Sequence, residues 1–149
     1  MESILEYASD NRLLFGGMLL MFAVVFAYEV RFARRKGVDI SPVEAVALIN
    51  GGAQPVDIRA AAQFEKGHLL DARNIPLADF EQHFASLEKL KERGLLVYCE
   101  NGASSAKAVE KLRERGITTA RSLRGGLVAW RAENLPVFAG RKTRKKDAS

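Results

Sequence analysis

Two uninterrupted apolar runs break the mixed polar and apolar pattern of this chain. The first, Leu13 to Tyr28, reads LLFGGMLLMFAVVFAY, sixteen residues without a charge. As a helix at ~1.5 Å per residue it measures about 24 Å, somewhat less than the ~30 Å hydrocarbon core of a bilayer. Arg12 and Arg31 flank it and reach outward, while Val30 and Phe32 lengthen its apolar surface. The second run, Leu95-Leu96-Val97-Tyr98, has the length of a strand. A short, unbroken apolar run of this kind predicts a strand buried on both faces of a sheet.

The elements around the second run alternate. Ser41-Pro42 predicts an N-cap followed by proline at the first helical position, with Val43, Val46, Ala47 and Ile49 on a short helical face. Asn50-Gly51-Gly52 stops that helix. Pro55 to Arg59 and Ala72 to Leu77 read as extended pieces, with Gly67-His68-Leu69 in a loop between them. From Asp79 a helix is expected, because Phe80, Phe84, Leu87 and Leu90 recur at helical spacing; Gly94 ends it. Ser105 to Arg115 reads as a helix with Gly116 at its C-terminus, Thr118 to Leu123 as a strand, and Gly125-Gly126 as the start of a last helix through Trp130. Strands alternating with helices predict an α/β fold with a mainly parallel central sheet flanked by helices, preceded by one transmembrane helix.

Charge sharpens the division. Residues 1–36 carry five basic and four acidic residues, residues 37–140 carry 13 of each, and residues 141–149 carry five basic and one acidic. The central domain has no excess positive charge, so nucleic acid is not an expected partner. A single Cys excludes an intrachain disulfide and a multi-Cys metal site, and no cofactor motif is present. The expected organisation is a short segment at 1–12, a transmembrane helix at 13–30, a basic juxtamembrane linker at 31–39, a domain at 40–138 and a basic disordered tail at 139–149.

Three readings compete for the first run: a membrane anchor, a cleaved signal peptide and a buried core helix. The start carries Glu2, Glu6 and Asp10 against one Arg12, and no A-x-A cleavage pattern follows, which disfavours the signal peptide. A core helix would keep a polar stripe. Residues 13–30 are therefore expected to sit in membrane lipid. Arg31, Arg34, Arg35 and Lys36 follow the run, so the positive-inside rule places the N-terminus outside and the domain in the cytoplasm, single-pass in the inner (plasma) membrane.

The candidate chemistry sits where the buried strand gives way to a helix, at Cys99. Ligands of open α/β sheets bind beyond the carboxyl ends of the strands. There the next helix directs free N–H groups and its dipole at the loop, an arrangement that stabilises an anionic sulfur and makes it a nucleophile. Gly102 lets the backbone curl so that several amides face one atom. The competing reading is a cysteine that is simply a small buried hydrophobe. His68 is expected to be structural and bonded to backbone, Asp57 and Arg59 to be structural polar groups, and Trp130 to lie in the core.

From about Ile40 to Val137 the sequence resembles the rhodanese-like domain. The resemblance rests on Val56-Asp57-Ile58-Arg59, on Phe64-Glu65-Lys66-Gly67-His68-Leu69 with Ala72-Arg73-Asn74-Ile75-Pro76-Leu77, and on Val97-Tyr98-Cys99 with Gly102. Leu123-Arg124-Gly125-Gly126, Trp130 and Leu135-Pro136-Val137 complete it. The resemblance implies a sulfurtransferase: a thiolate takes sulfane sulfur from a donor, holds a persulfide and passes the sulfur to a thiol acceptor. Carried over, the nucleophile is Cys99, and Glu100, Asn101, Gly102, Ala103 and Ser104 form the substrate-binding loop. Counted from Cys99 to Ser104 the loop has six residues, the length seen in sulfurtransferases; the related phosphatases use one more. No metal or cofactor is implied; the partners are a sulfur donor and a thiol acceptor, with a membrane protein as a further candidate.

The loop departs from the family in charge. Members that use thiosulfate well usually carry basic residues in the loop, commonly as C-R-x-G-x-R, whereas this chain has Glu100 and Ser104 at those positions. At an effective dielectric near 20, one charge ~6 Å away counts for about 3 kcal/mol before screening. Arg59 and Arg124 are the candidates to supply compensating charge. Weak thiosulfate-type activity is expected. The alternative is a rhodanese-like binding module with little turnover that recruits a protein to the membrane.

Overall fold

The computed structural model describes residues 10–35 and 37–140, which form two separate units. The first is helix α1, Arg12–Arg35, 24 residues long. Its stretch from Arg12 to Ala33 is apolar and long enough to cross a membrane, and none of it is buried within the chain. That exposure removes the buried-core-helix reading. At ~1.5 Å per residue the 22 residues of this stretch rise about 33 Å. The helix thus carries Glu29 and Arg31 in its length and runs past the expected end at residue 30.

The second unit is a five-stranded sheet in the order β1-β5-β4-β2-β3. Its strands are β1 (Asp39–Ile40), β2 (Gln54–Asp57), β3 (Arg73–Asn74), β4 (Leu95–Tyr98) and β5 (Ala120–Leu123). Every pairing is parallel. Strand β1 was not expected: Asp39 pairs with Ser122 and buried Val38 joins the core. Less of residues 31–39 is therefore left as a connection than the charge pattern suggested. Ile58 and Arg59 lie just beyond β2, and β3 is shorter than the extended piece predicted over 72–77.

Helix α2 (Pro42–Asn50) begins as the sequence predicts. The Ser41 hydroxyl accepts from the Glu44 N–H, the Glu44 carboxylate accepts from the Ser41 N–H at 2.7 Å, and Pro42 opens the first turn. Helix α3 (Ala61–Lys66) follows β2. The helix expected from Asp79 is instead a 3-10 segment, Leu77–His83, passing into a short α4, Phe84–Glu88. Packing accounts for its apolar spacing: Phe80 and Phe84 meet edge to face at 5.5 Å and bury against the sheet with Leu87. Helix α5 spans Ala103–Glu114 and α6 spans Gly126–Ala132.

Strand β4 is central and wholly buried, as its four apolar residues predict. Leu95, Val97 and Cys99 face one core with Val109 and Leu112 of α5; Leu96 and Tyr98 face another with Ala45 of α2 and Leu127 and Trp130 of α6. The alternation of the pleat sends successive side chains into opposite layers. The chain leaves β2 toward β3 on one side and leaves β4 toward β5 on the other, so a crevice opens between the carboxyl ends of β2 and β4. Cys99 stands at that crevice. Expectations for 1–9, Lys36 and the tail at 141–149 lie outside the described residues.

Candidate active site

The loop after β4 is held by its neighbours. Leu127 N–H donates to the Cys99 carbonyl at 2.9 Å and Val128 N–H to the Glu100 carbonyl at 3.0 Å. This contact needs glycine: Gly126 has φ +59, and a Cβ there would lie 2.5 Å from both the Cys99 and Glu100 carbonyl oxygens. Gly102, with φ +90, packs so that a Cβ would fall 3.0 Å from the Gly125 nitrogen. The two glycine-bearing turns therefore abut backbone to backbone.

With its carbonyls taken by α6, the loop turns an amide inward. Gly102 N–H points at Cys99 Sγ from 3.1 Å. Two oxygens lie within reach of the thiol proton, Ser105 Oγ at 3.5 Å and Asn101 Oδ1 at 3.8 Å. Asn101 Oδ1 also accepts from the Ala103 N–H at 3.1 Å, an Asx turn that leads into α5. Helix α5 begins at Ala103, two residues earlier than expected, so Ala103 and Ser104 belong to its first turn. Cys99 is only 6% exposed.

On the β2 side the site is ionic. Arg59 is buried at 6% exposure beside a fully buried Asp57. Its Nε and Nη2 grip the Asp57 carboxylate, with Nη2 at 2.7 Å from Oδ2, and Nη2 also donates to the Gly67 carbonyl. Its Nη1 donates to Glu100 Oε2 at 2.9 Å. Burial works against the guanidinium charge, but the hydrogen bonds and charge of Asp57, then Glu100, outweigh it and leave the pKa above its ordinary value. Arg131 of α6 approaches the other oxygen, Oε1, at 3.5 Å. Asp57, Arg59, Glu100 and Arg131 thus form a chain of alternating charge that sums to zero.

The structure brings some expected residues together and separates others. Arg59 reaches the loop. Arg124 does not: its Nη2 donates to the Asp39 carbonyl at 3.2 Å and its charge acts on Glu44 of α2. His68 is buried, its Nδ1–H donating to the Phe64 carbonyl at 2.7 Å and its ring stacked on Phe64. Tyr98 accepts the Leu69 N–H at 3.1 Å, and burial, helped by the Asp57 charge, pushes its phenol well above the usual range. Sequence reasoning missed Arg131 and the buried pair Ser105 and Ser122, whose hydroxyls are 2.9 Å apart. A polar residue on the otherwise apolar buried face of α5, Ser105 beside Ala108, Val109 and Leu112, was the one available signal.

A parallel five-stranded sheet with a cysteine loop closed by glycine turns defines a class, and comparison with known proteins agrees. Residues 41–133 match the family profile described as Rhodanese-like domain, so the chain belongs to the rhodanese-like family. The chain is 37% identical to the Bacillus subtilis protein YqhL over 78 residues, 52% of this chain and 60% of that one. It thus spans less than two thirds of YqhL. A protein of Allochromatium vinosum named Sulfurtransferase is 33% identical, the match covering 56% of this chain and 77% of the relative. The crystal structure of a rhodanese-related protein from Thermoplasma volcanium superposes with a TM-score of 0.62 at 26% identity, covering 67% of this chain and 96% of that one. Relatives of this chain thus include proteins named as sulfurtransferases.

Proposed function

We propose that this protein is a membrane-anchored sulfurtransferase or persulfide carrier that moves sulfane sulfur through a Cys99 persulfide to a thiol acceptor. The observation that carries the reading is the Gly102 N–H aimed at Cys99 Sγ from 3.1 Å at the start of α5. An amide so placed favours negative charge on the sulfur. The thiolate attacks the outer sulfur of a donor; the new S–S bond forms on Cys99 and the electron pair of the broken bond leaves with the donor fragment. The Allochromatium relative, named as a sulfurtransferase, supports the same chemistry. Glu100, Asn101, Gly102, Ala103 and Ser104 form the mouth that meets donor and acceptor. The test is the intact mass of the protein after incubation with sulfur donors. A gain of one sulfur atom, absent from Cys99→Ser, is expected; no gain with any donor would favour the binding-module alternative.

The anchor is part of the proposal. Helix α1 inserts in the inner membrane with its N-terminus outside, and Arg31, Arg34, Arg35 and Lys36 keep the domain in the cytoplasm. The full chain is expected to stay with membranes after carbonate washing. A C-terminal fluorescent fusion that folds only in the cytoplasm is expected to be bright. Release by carbonate would remove the anchor, and activity of an export-dependent reporter would reverse the orientation.

A further inference from the structure

Beneath Cys99 lies a pair of hydroxyls with more acceptors than protons to serve them. Ser105 is fully buried in the first turn of α5 and Ser122 is fully buried on β5. Ser105 Oγ sits 3.1 Å from the Gly102 carbonyl, 3.5 Å from Cys99 Sγ and 2.9 Å from Ser122 Oγ. A serine hydroxyl has one proton to give. While Cys99 is a thiol, its S–H donates to Ser105 Oγ and Ser105 donates to the Gly102 carbonyl. Once the sulfur is an anion it donates nothing, and becomes the strongest acceptor within reach of Ser105.

We propose that Ser105 is a catalytic residue that rotates its hydroxyl onto the Cys99 thiolate, and that Ser122 is the positioning residue that holds and polarises it. Ser122 donates to Ser105 Oγ in both states, which strengthens Ser105 as a donor. In the persulfide state Cys99 Sγ is a neutral bridging atom, and Ser105 returns to the Gly102 carbonyl. The pair therefore favours the thiolate over the persulfide, and its effect falls on discharge. In that step an acceptor thiolate attacks the protonated outer sulfur. A new S–S bond forms on the acceptor, the Cys99 Sγ–S bond breaks, and the electron pair leaves on Sγ, where the Ser105 proton meets it. A better-stabilised thiolate is a better leaving group.

The inference rests on Cys99 as sulfur carrier, but its test does not need sulfur transfer. Cys99 is the chain's single cysteine, so the rate of alkylation by iodoacetamide, followed against pH on the full chain in mild detergent, reports its thiolate alone. Ser105→Ala is expected to raise the midpoint by about half a pH unit or more, and Ser122→Ala to raise it by less. The charged groups on the surrounding elements stay the same in every variant: Glu100 after β4, Asp57 and Arg59 at the end of β2, Lys107 on α5, Arg124 after β5, Arg131 on α6 and Asp39 on β1. Circular dichroism melting identifies folded variants. If Ser105→Ala does not fold, Ser122→Ala carries the test. An unmoved midpoint in either folded variant overturns the proposal. In single-turnover discharge to a small thiol, Ser105→Ala is expected to be several-fold slower. A wild type that takes up no sulfur would defeat the carrier reading, while the alkylation profile still decides the role of the hydroxyls.

Discussion

On the β5 side of Cys99 the protein places uncharged donors; on the β2 side it places formal charges that cancel. The Gly102 amide, Ser105 and Ser122 make up the first wall; each is small, and the two serines are fully buried. Asp57, Arg59, Glu100 and Arg131 make up the second, joined from the interior to the surface. The first wall responds to charge that appears on the sulfur. The second ties the loop's own carboxylate, Glu100, still 44% exposed, to a guanidinium that Asp57 has already fixed. A reaction that makes and removes one negative charge on sulfur is served by the first wall. On the proposed reading, selection of the donor falls to the second.

The comparison breaks most completely at the sulfur itself. Cys99→Ser keeps both walls and is expected to abolish sulfur uptake and transfer in a donor-to-thiol assay, since a hydroxyl cannot carry sulfur. Arg59→Ala attacks the second wall at its root by leaving Asp57 buried without its cation. Urea unfolding followed by circular dichroism is expected to show a loss of about 3–5 kcal/mol. Gly126→Ala attacks the junction of the walls, where the new Cβ would meet two carbonyl oxygens at 2.5 Å and the backbone has φ +59. A loss of about 2 kcal/mol is expected from strain alone, with slower persulfide formation by intact mass. Glu100→Arg with Ser104→Arg turns the second wall basic and is expected to raise kcat/KM for thiosulfate about ten-fold, a change of ~1.4 kcal/mol. Glu100→Gln frees Arg59 Nη1 and Arg131 for an anion, and a rise of a few-fold is expected in the same assay. If neither Glu100 variant is faster, the second wall does not govern the donor.

The two walls also differ in how far the sequence revealed them. Cys99, its strand and the helix beyond it were legible because Leu95 to Tyr98 is purely apolar and Gly102 breaks the run into α5. The capping of α2 was legible because Ser41, Pro42 and Glu44 act on each other within one turn. The pairing of Arg59 with Glu100 spans 41 positions, and that distance along the chain says nothing about distance in space. Arg59 and Arg124 carry the same charge near the same sheet end, and only tertiary packing sends one to Glu100 and the other to the Asp39 carbonyl. Strand β1 escaped notice because its two residues become a strand only through β5. The 3-10 turn at Leu77–His83 was hidden because Phe80 and Phe84 keep a helical spacing through either geometry.

The grip of α6 on the Cys99 and Glu100 carbonyls has a consequence for the cost of the reaction. In water, solvent dipoles must turn when a sulfur gains charge, and that turning is part of the barrier. Here two peptide groups beside the Cys99 sulfur are already fixed, because the Cys99 and Glu100 carbonyls are bound to the Leu127 and Val128 N–H groups before any donor arrives. The loop is thereby held against α6 with the Gly102 N–H already 3.1 Å from the sulfur. Apart from the hydroxyl of Ser105, the surroundings of the sulfur have little left to rearrange when it becomes an anion.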